Sequence, residues 1–179
     1  ESLYPNRLEG QVEVLASHFM RSSMLDRALR YLILSGLKAS AAYANDQARQ
    51  HFQLARELLA QVEHTAEQAV QVHIGLGDAL VTAGEYPAAL EHYQTVVARL
   101  DISARLRARL ERKAAVALER QGSYPEAIQR LRQAAALLSH AETASPLLRR
   151  AFAAAIGEKE KLDYAMMLAV LGDATGLEV

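Results

Sequence analysis

The chain has 179 residues, 51% of them hydrophobic and 23% charged, with a formal net charge of −1. That length and balance suit a soluble domain with a sizeable core and exclude a disordered or fibrous chain. Cysteine is absent, which excludes disulfides, thiolate metal sites and cysteine nucleophiles together. Alanine and leucine dominate and aromatics make up 6%, so helix is expected throughout and sheet nowhere.

The opening Glu1-Ser2-Leu3-Tyr4-Pro5 lacks the basic and apolar regions of a signal peptide, and no apolar run approaches the roughly 18 residues that span a bilayer. A cytoplasmic location with no membrane contact is therefore expected, and a start on Glu rather than Met reads as a piece of a longer protein. In chain order, about nine helices are expected: 7–21, 24–43, 45–62, 66–83, 86–100, 103–121, 124–139, 145–156 and 160–172. Their starts are marked by Ser, Thr, Asp and Asn, which offer an oxygen to the first free backbone N–H groups. Thr65 with Gln68 and Ser123 with Glu126 fit the capping box, and Ser145-Pro146 places proline where its missing N–H costs nothing. Gly84 and Gly122 stand where a chain leaving a helix turns through positive φ.

Ala89, Ala127 and Ala165 lie 38 residues apart, and their surroundings repeat in kind. Leu76-Gly77-Asp78-Ala79-Leu80 through Gly84-Glu85-Tyr86-Pro87-Ala88-Ala89-Leu90 is echoed by Ala114-Ala115-Val116-Ala117-Leu118 through Gly122-Ser123-Tyr124-Pro125-Glu126-Ala127-Ile128. Small residues at Gly77, Ala115 or Ala153 on the first helix, and at Ala89, Ala127 or Ala165 on the second, permit close helix approach. Such a unit cannot bury its apolar face alone, so neighbours must stack. Upstream, Val12, Leu15, Ala16 and Phe19 read as a first helix with Ala28 to Leu32 as its partner, yet Ala48 to Phe52 repeats the partner pattern only 20 residues later. One long helix over 24–43 is expected to serve both neighbours. The predicted architecture is one all-α domain over 1–179, a right-handed α-solenoid of antiparallel helical hairpins. Residues 1–62 form divergent repeats and 66–172 form three repeats of 38 residues.

The small-then-Leu spacing, the turn glycine, the tyrosine after it and the early alanine of the second helix resemble the tetratricopeptide repeat. The likeness extends over 70–100 and 108–139 and is looser over 146–172, where Glu160 replaces the turn glycine. The segments Leu15-Ala16-Ser17-His18-Phe19, Asp26 to Leu32 and Ala41 to Ala48 further resemble the helical-repeat region of large bacterial signal-transducing ATPases and cyclase-linked regulators. That resemblance implies a sensor or scaffold segment of a multidomain signalling protein. The ATPase itself is absent, so no nucleotide chemistry follows.

Residues that would carry chemistry are sparse. Gly75-Leu76-Gly77-Asp78 looks superficially like a dinucleotide loop, but the third glycine is missing and the segment sits inside a helix. The histidines at 18, 51, 64, 73, 92 and 140 form no HExxH pair and no i, i+4 couple, which leaves surface or interhelical positions or a metal site assembled across helices. No Gly-x-Ser-x-Gly elbow is present. No catalytic residue, metal or cofactor is expected.

Charge is unevenly spread. Residues 99–132 carry nine bases and four acids, whereas 1–98 carry seven bases and eleven acids. Arg105, Arg109, Arg112 and Arg120 form one stripe of helix 103–121, opposite Leu106, Leu110, Ala114, Ala117 and Leu118. By the repeat register, Arg109, Arg112, Val116 and Arg120 fall on a concave groove, and the matching positions of the preceding unit are Gln71, Ile74, Asp78, Val81 and Thr82. The stripe reads either as a solvated face balanced by Glu111 and Glu119, or as a groove for acidic or carboxylate-bearing peptides with Ile74 and Val81 giving apolar grip. Near-neutral total charge and no aromatics among the arginines argue against nucleic acid.

The stretch Tyr164-Ala165-Met166-Met167-Leu168-Ala169-Val170-Leu171 is too short to span a bilayer; a following repeat in a longer parent would cover it, or it forms a homodimer contact. The sequence therefore reads as a noncatalytic scaffold that binds a peptide, a partner protein or another domain of its parent chain. The alternative is an allosteric small-molecule sensor, or part of an enzyme active site.

Overall fold

The computed structural model describes residues 11–99 and 101–139. Seven helices make up almost all of them: α1 Val12–Arg21, α2 Leu25–Ala41, α3 Asn45–Leu59, α4 Ala66–Thr82, α5 Tyr86–Arg99, α6 Ala104–Gln121 and α7 Tyr124–Ser139. No strand occurs among the described residues, and the all-α class built from solenoid-type hairpins is as expected. The expected helices 145–156 and 160–172, the Ser145-Pro146 start, Ala153, Ala165 and the apolar stretch 164–171 lie outside the described residues. Helix 45–62 stops early, at Leu59. Two compact units are delimited at Val96 and Val97; α1 to α4 and most of α5 form the first, α6 and α7 the second.

One backbone device closes the hairpins. Among the described residues, φ is positive at Ser23, Tyr43, Gly84 and Gly122 only. At each, the next N–H donates back across the turn to a carbonyl five residues earlier: Met24 to Phe19, Ala44 to Ala39, Glu85 to Leu80 and Ser123 to Leu118, all within 3.2 Å. This is the Schellman closure, which satisfies the last carbonyls of one helix while reversing the chain. Its fixed geometry also explains why α2 and α3 start after Met24 and Ala44 with no side-chain cap, contrary to the expectation of a capping residue at every start. Where the connection is longer, side chains do cap. Thr65 and Gln68 form the full capping box, and Ser103 Oγ accepts from Leu106 N at 3.2 Å.

Counting from each turn residue recovers one register. Seven positions before it stand Ala16, Gly36, Gly77 and Ala115; five after it, Ala28, Ala48, Ala89 and Ala127; nine after it, Leu32, Phe52, Tyr93 and Leu131. All are buried. The small residue on the first helix makes room for the large one on the second. A Cβ on Gly77 would lie 2.5 Å from Tyr93 Cε1, and one on Gly36 2.8 Å from the Phe52 ring. Helix α2 is thus second partner to α1 and first partner to α3, and it also touches α4, the double duty expected of the long helix.

In the first unit the core joins Phe19, Leu29, Tyr31, Leu32, Leu58 and Val72, with Phe19 and Tyr31 stacked at 5.3 Å. Phe52 is fully buried between α2 and α4, facing Gly36 on one side and Gly75 on the other. In the second unit Ala108, Ala115, Ala127, Leu131 and Ala134 form a core of small side chains, which brings α6 and α7 close together.

Candidate interaction surface

Helix α6 is built between two firm ends, the Ser103 cap and Gly122 at φ 87°. Its buried side is Ala108, Leu110, Ala114, Ala115 and Ala117, with Leu106 and Leu118 half-buried, as the sequence pattern predicts. One acid joins them: Glu111 is 6% exposed and accepts from Arg130 Nη1 of α7 at 3.0 Å. Glu111 is therefore directed at the partner helix, not at the arginine stripe it was expected to balance. Of that stripe, Arg105 and Arg120 are exposed, while Arg109, Arg112 and Val116 are half-buried. The Arg109 Nε–H is shut from solvent without a hydrogen-bond acceptor, leaving a donor unsatisfied.

On α4 of the first unit, Gln71, Ile74, Asp78 and Val81 are half-buried and Thr82 is exposed. Asp78 has a structural duty that the sequence reading missed: its Oδ1 accepts the Tyr93 hydroxyl at 2.7 Å, pinning the ring that lies against Gly77. Gly75 and Gly77 are places where aromatic rings meet the helix backbone, which explains the Gly-Leu-Gly sequence without a phosphate loop.

Two further features escaped the sequence reading. A cavity of about 500 Å³ opens beside the α2–α3 turn, lined by Tyr43, Asn45, Asp46, Gln47 and Arg49 and by Ala79 and Thr82 of α4. Tyr43 is 87% exposed in a left-handed conformation (φ 57°), and Arg49 bridges to Glu85 at 2.6 Å. The second feature is a histidine pair across the α4–α5 hairpin, with His73 Nδ1 and His92 Nδ1 3.0 Å apart. Burial, and then the charge of Arg56, push the His92 imidazole below the ordinary histidine range. Knowledge of the turn residue would have exposed the pair, since 73 and 92 occupy the register positions of 111 and 130.

Among the described residues, no group of three or more His, Asp or Glu side chains could hold a metal ion. No described helix is long and apolar enough to cross a membrane.

The tetratricopeptide repeat family model matches residues 45–105 and again 75–142, together more than half of the chain. The chain belongs to the tetratricopeptide repeat family. Repeats of this family generally mediate protein–protein interactions and are typically noncatalytic scaffolds. The matches begin at α3 and run through α7. No curated protein matches the chain.

Proposed function

We propose that this domain is the interaction segment of a multidomain signalling protein, and that α6 captures acidic or carboxylate-bearing peptide segments of a partner or of its own parent chain. The observation that carries this reading is the separation of charge on α6: Glu111 is turned to Arg130, while Arg105, Arg109, Arg112 and Arg120 occupy the other side. Guanidinium forks suit carboxylates because two parallel N–H groups meet two oxygens. A fluorescein-labelled peptide of alternating Glu and Leu, with a free C-terminal carboxylate, tests this by anisotropy. Binding is expected, with R109A/R112A weakening it at least tenfold, roughly the effect of one charged hydrogen bond. Equal affinity for the variant, or for a Lys-Leu peptide of the same length, refutes the reading.

A second reading, a small-molecule sensor, is favoured by the cavity at Tyr43, whose volume falls within the range of ligand pockets. Calorimetry against a metabolite panel tests it: saturable heat that Y43A and N45A abolish supports it, and none refutes it. Homodimerisation through 164–171 is a separate proposal. L168E should then halve the light-scattering mass; an unchanged dimer mass places the contact elsewhere.

A further inference from the structure

The α2–α3 turn places a tyrosine where glycine would sit without strain. Gly84 and Gly122 take the left-handed position in the later turns, whereas Tyr43 takes it at φ 57°, and a bulky side chain at positive φ is an outlier. Packing does not explain the choice, because Tyr43 is 87% exposed. Its side chain instead borders the cavity of about 500 Å³ beside the turn. Backbone strain that holds an exposed aromatic ring against a cavity points to a ligand for that ring.

The cavity wall decides the charge of that ligand. Asn45, Asp46 and Gln47 are the first turn of α3, and Ala79 and Thr82 belong to the last turn of α4. The positive end of one helix dipole and the negative end of the other, each about half a charge, offset each other there. Arg49 in the same wall is neutralised by Glu85 at 2.6 Å. Asp46 is the remaining charge, and its carboxylate enters no ion pair with a described residue. The wall is therefore anionic, in keeping with seven bases against eleven acids over residues 1–98. Among cations, a planar one suits it best. A guanidinium stacks on an aromatic face and directs five N–H groups outward in its plane. Asp46 offers two carboxylate oxygens, and Asn45 and Gln47 one amide oxygen each. The Thr82 hydroxyl donates its proton to the Asp78 carbonyl at 3.1 Å, which leaves its oxygen to accept. An ammonium, with three donors and no flat face to lay on Tyr43, would use this wall less fully.

We propose that the Tyr43 cavity is a guanidinium site, with the Tyr43 ring as its stacking face and Asp46 as its counter-charge. Its ligand is arginine, as the free amino acid or as a side chain of a partner protein. The inference rests on the reading of this cavity as a ligand pocket and adds the chemical class of the ligand.

Calorimetry of the full chain at neutral pH tests it with L-arginine, N-acetyl-arginine amide, L-citrulline and L-lysine. Arginine should bind saturably. Citrulline, which keeps the shape and loses the charge, should bind about tenfold more weakly or worse, the effect of one charged hydrogen bond, and lysine should also bind more weakly than arginine. N-acetyl-arginine amide, whose ends are those of a peptide, marks a protein side chain as the source if it binds as well as arginine, and the free amino acid if it does not. Y43G removes the stacking face while relaxing the turn backbone, and should weaken arginine several-fold. D46N removes the counter-charge while keeping the side chain's shape, and should weaken it about tenfold. Arginine binding that is unchanged in either variant, or matched by citrulline or lysine, overturns the proposal. So does a metabolite panel in which only compounds without a guanidinium give heat that depends on Tyr43. That result leaves the cavity a ligand pocket of another class, whereas no heat from any compound removes the pocket reading as well.

Discussion

Replacing Gly75 with alanine sets two effects of known sign against each other. Alanine is favoured over glycine inside a helix by about 1 kcal/mol, and Gly75 lies within α4. Against that, the new Cβ would sit 2.3 Å from Phe52 Cζ, 2.4 Å from Cε2 and 2.6 Å from Cε1. The ring must retreat by about 1 Å to reach ordinary contact, and on its other side it meets the backbone of Gly36, where a Cβ would lie only 2.8 Å away. Phe52 is 0% exposed, so it has no solvent side to move into. Overpacking of this kind costs roughly 1–3 kcal/mol. The ring is blocked on both faces, which places the cost near the top of that range and the net loss near 2 kcal/mol. Urea unfolding of G75A, F52L and G75A/F52L forms a double-mutant cycle. The smaller Leu side chain should relieve the clash, giving a coupling of about 1 kcal/mol or more in the compensating direction. A stabilised G75A, or additivity across the cycle, would refute the packing argument.

The left-handed turns predict opposite results for opposite substitutions. Tyr43→Gly should stabilise by about 1 kcal/mol, since a left-handed backbone penalises any Cβ and the 87%-exposed side chain has little packing to lose. Gly84→Ala should destabilise by a similar amount although nothing lies within 4 Å of the added methyl; thermal melts check both. Ser35 is fully buried with no partner for its hydroxyl, so Ser35→Ala should stabilise by about 1 kcal/mol. Arg130 is 32% exposed, so Glu111→Ala does not seal its charge away from water, and a loss of roughly 1–3 kcal/mol is expected, nearer the lower end. Burial lowers both His51 and His92. Folded-state pKa values below the unfolded ones mean stability that is complete above about pH 6.5 and lost as pH falls from there; H51F should flatten part of that decline in a melting series.

The hairpin register was legible because its markers are local. Gly84 and Gly122 advertise positive φ, and alanines at 89 and 127 advertise close approach. The first two turns hid the same geometry because Ser23 and Tyr43 adopt a conformation that their residue types do not signal. Hence the loose reading of 12–62, even though Ala16, Ala28 and Leu32 and then Gly36, Ala48 and Phe52 fit the common register. The arginine stripe was visible from helical spacing alone. What spacing could not supply was partnership across helices: that Asp78 meets Tyr93, that Glu111 meets Arg130, and that His73 meets His92. These contacts span 15 to 19 residues and become predictable only once the turn residue fixes which positions face each other.

The arginine side chains of α6 offer the most direct test of the functional account. Titration of ¹⁵N-labelled protein with the Glu-Leu peptide, followed at the arginine Nε–Hε resonances, should shift Arg109 and Arg112 first and most, in proportion to peptide bound. Saturable binding that leaves those two resonances in place, or that moves only Arg49 beside the Tyr43 cavity, would contradict it.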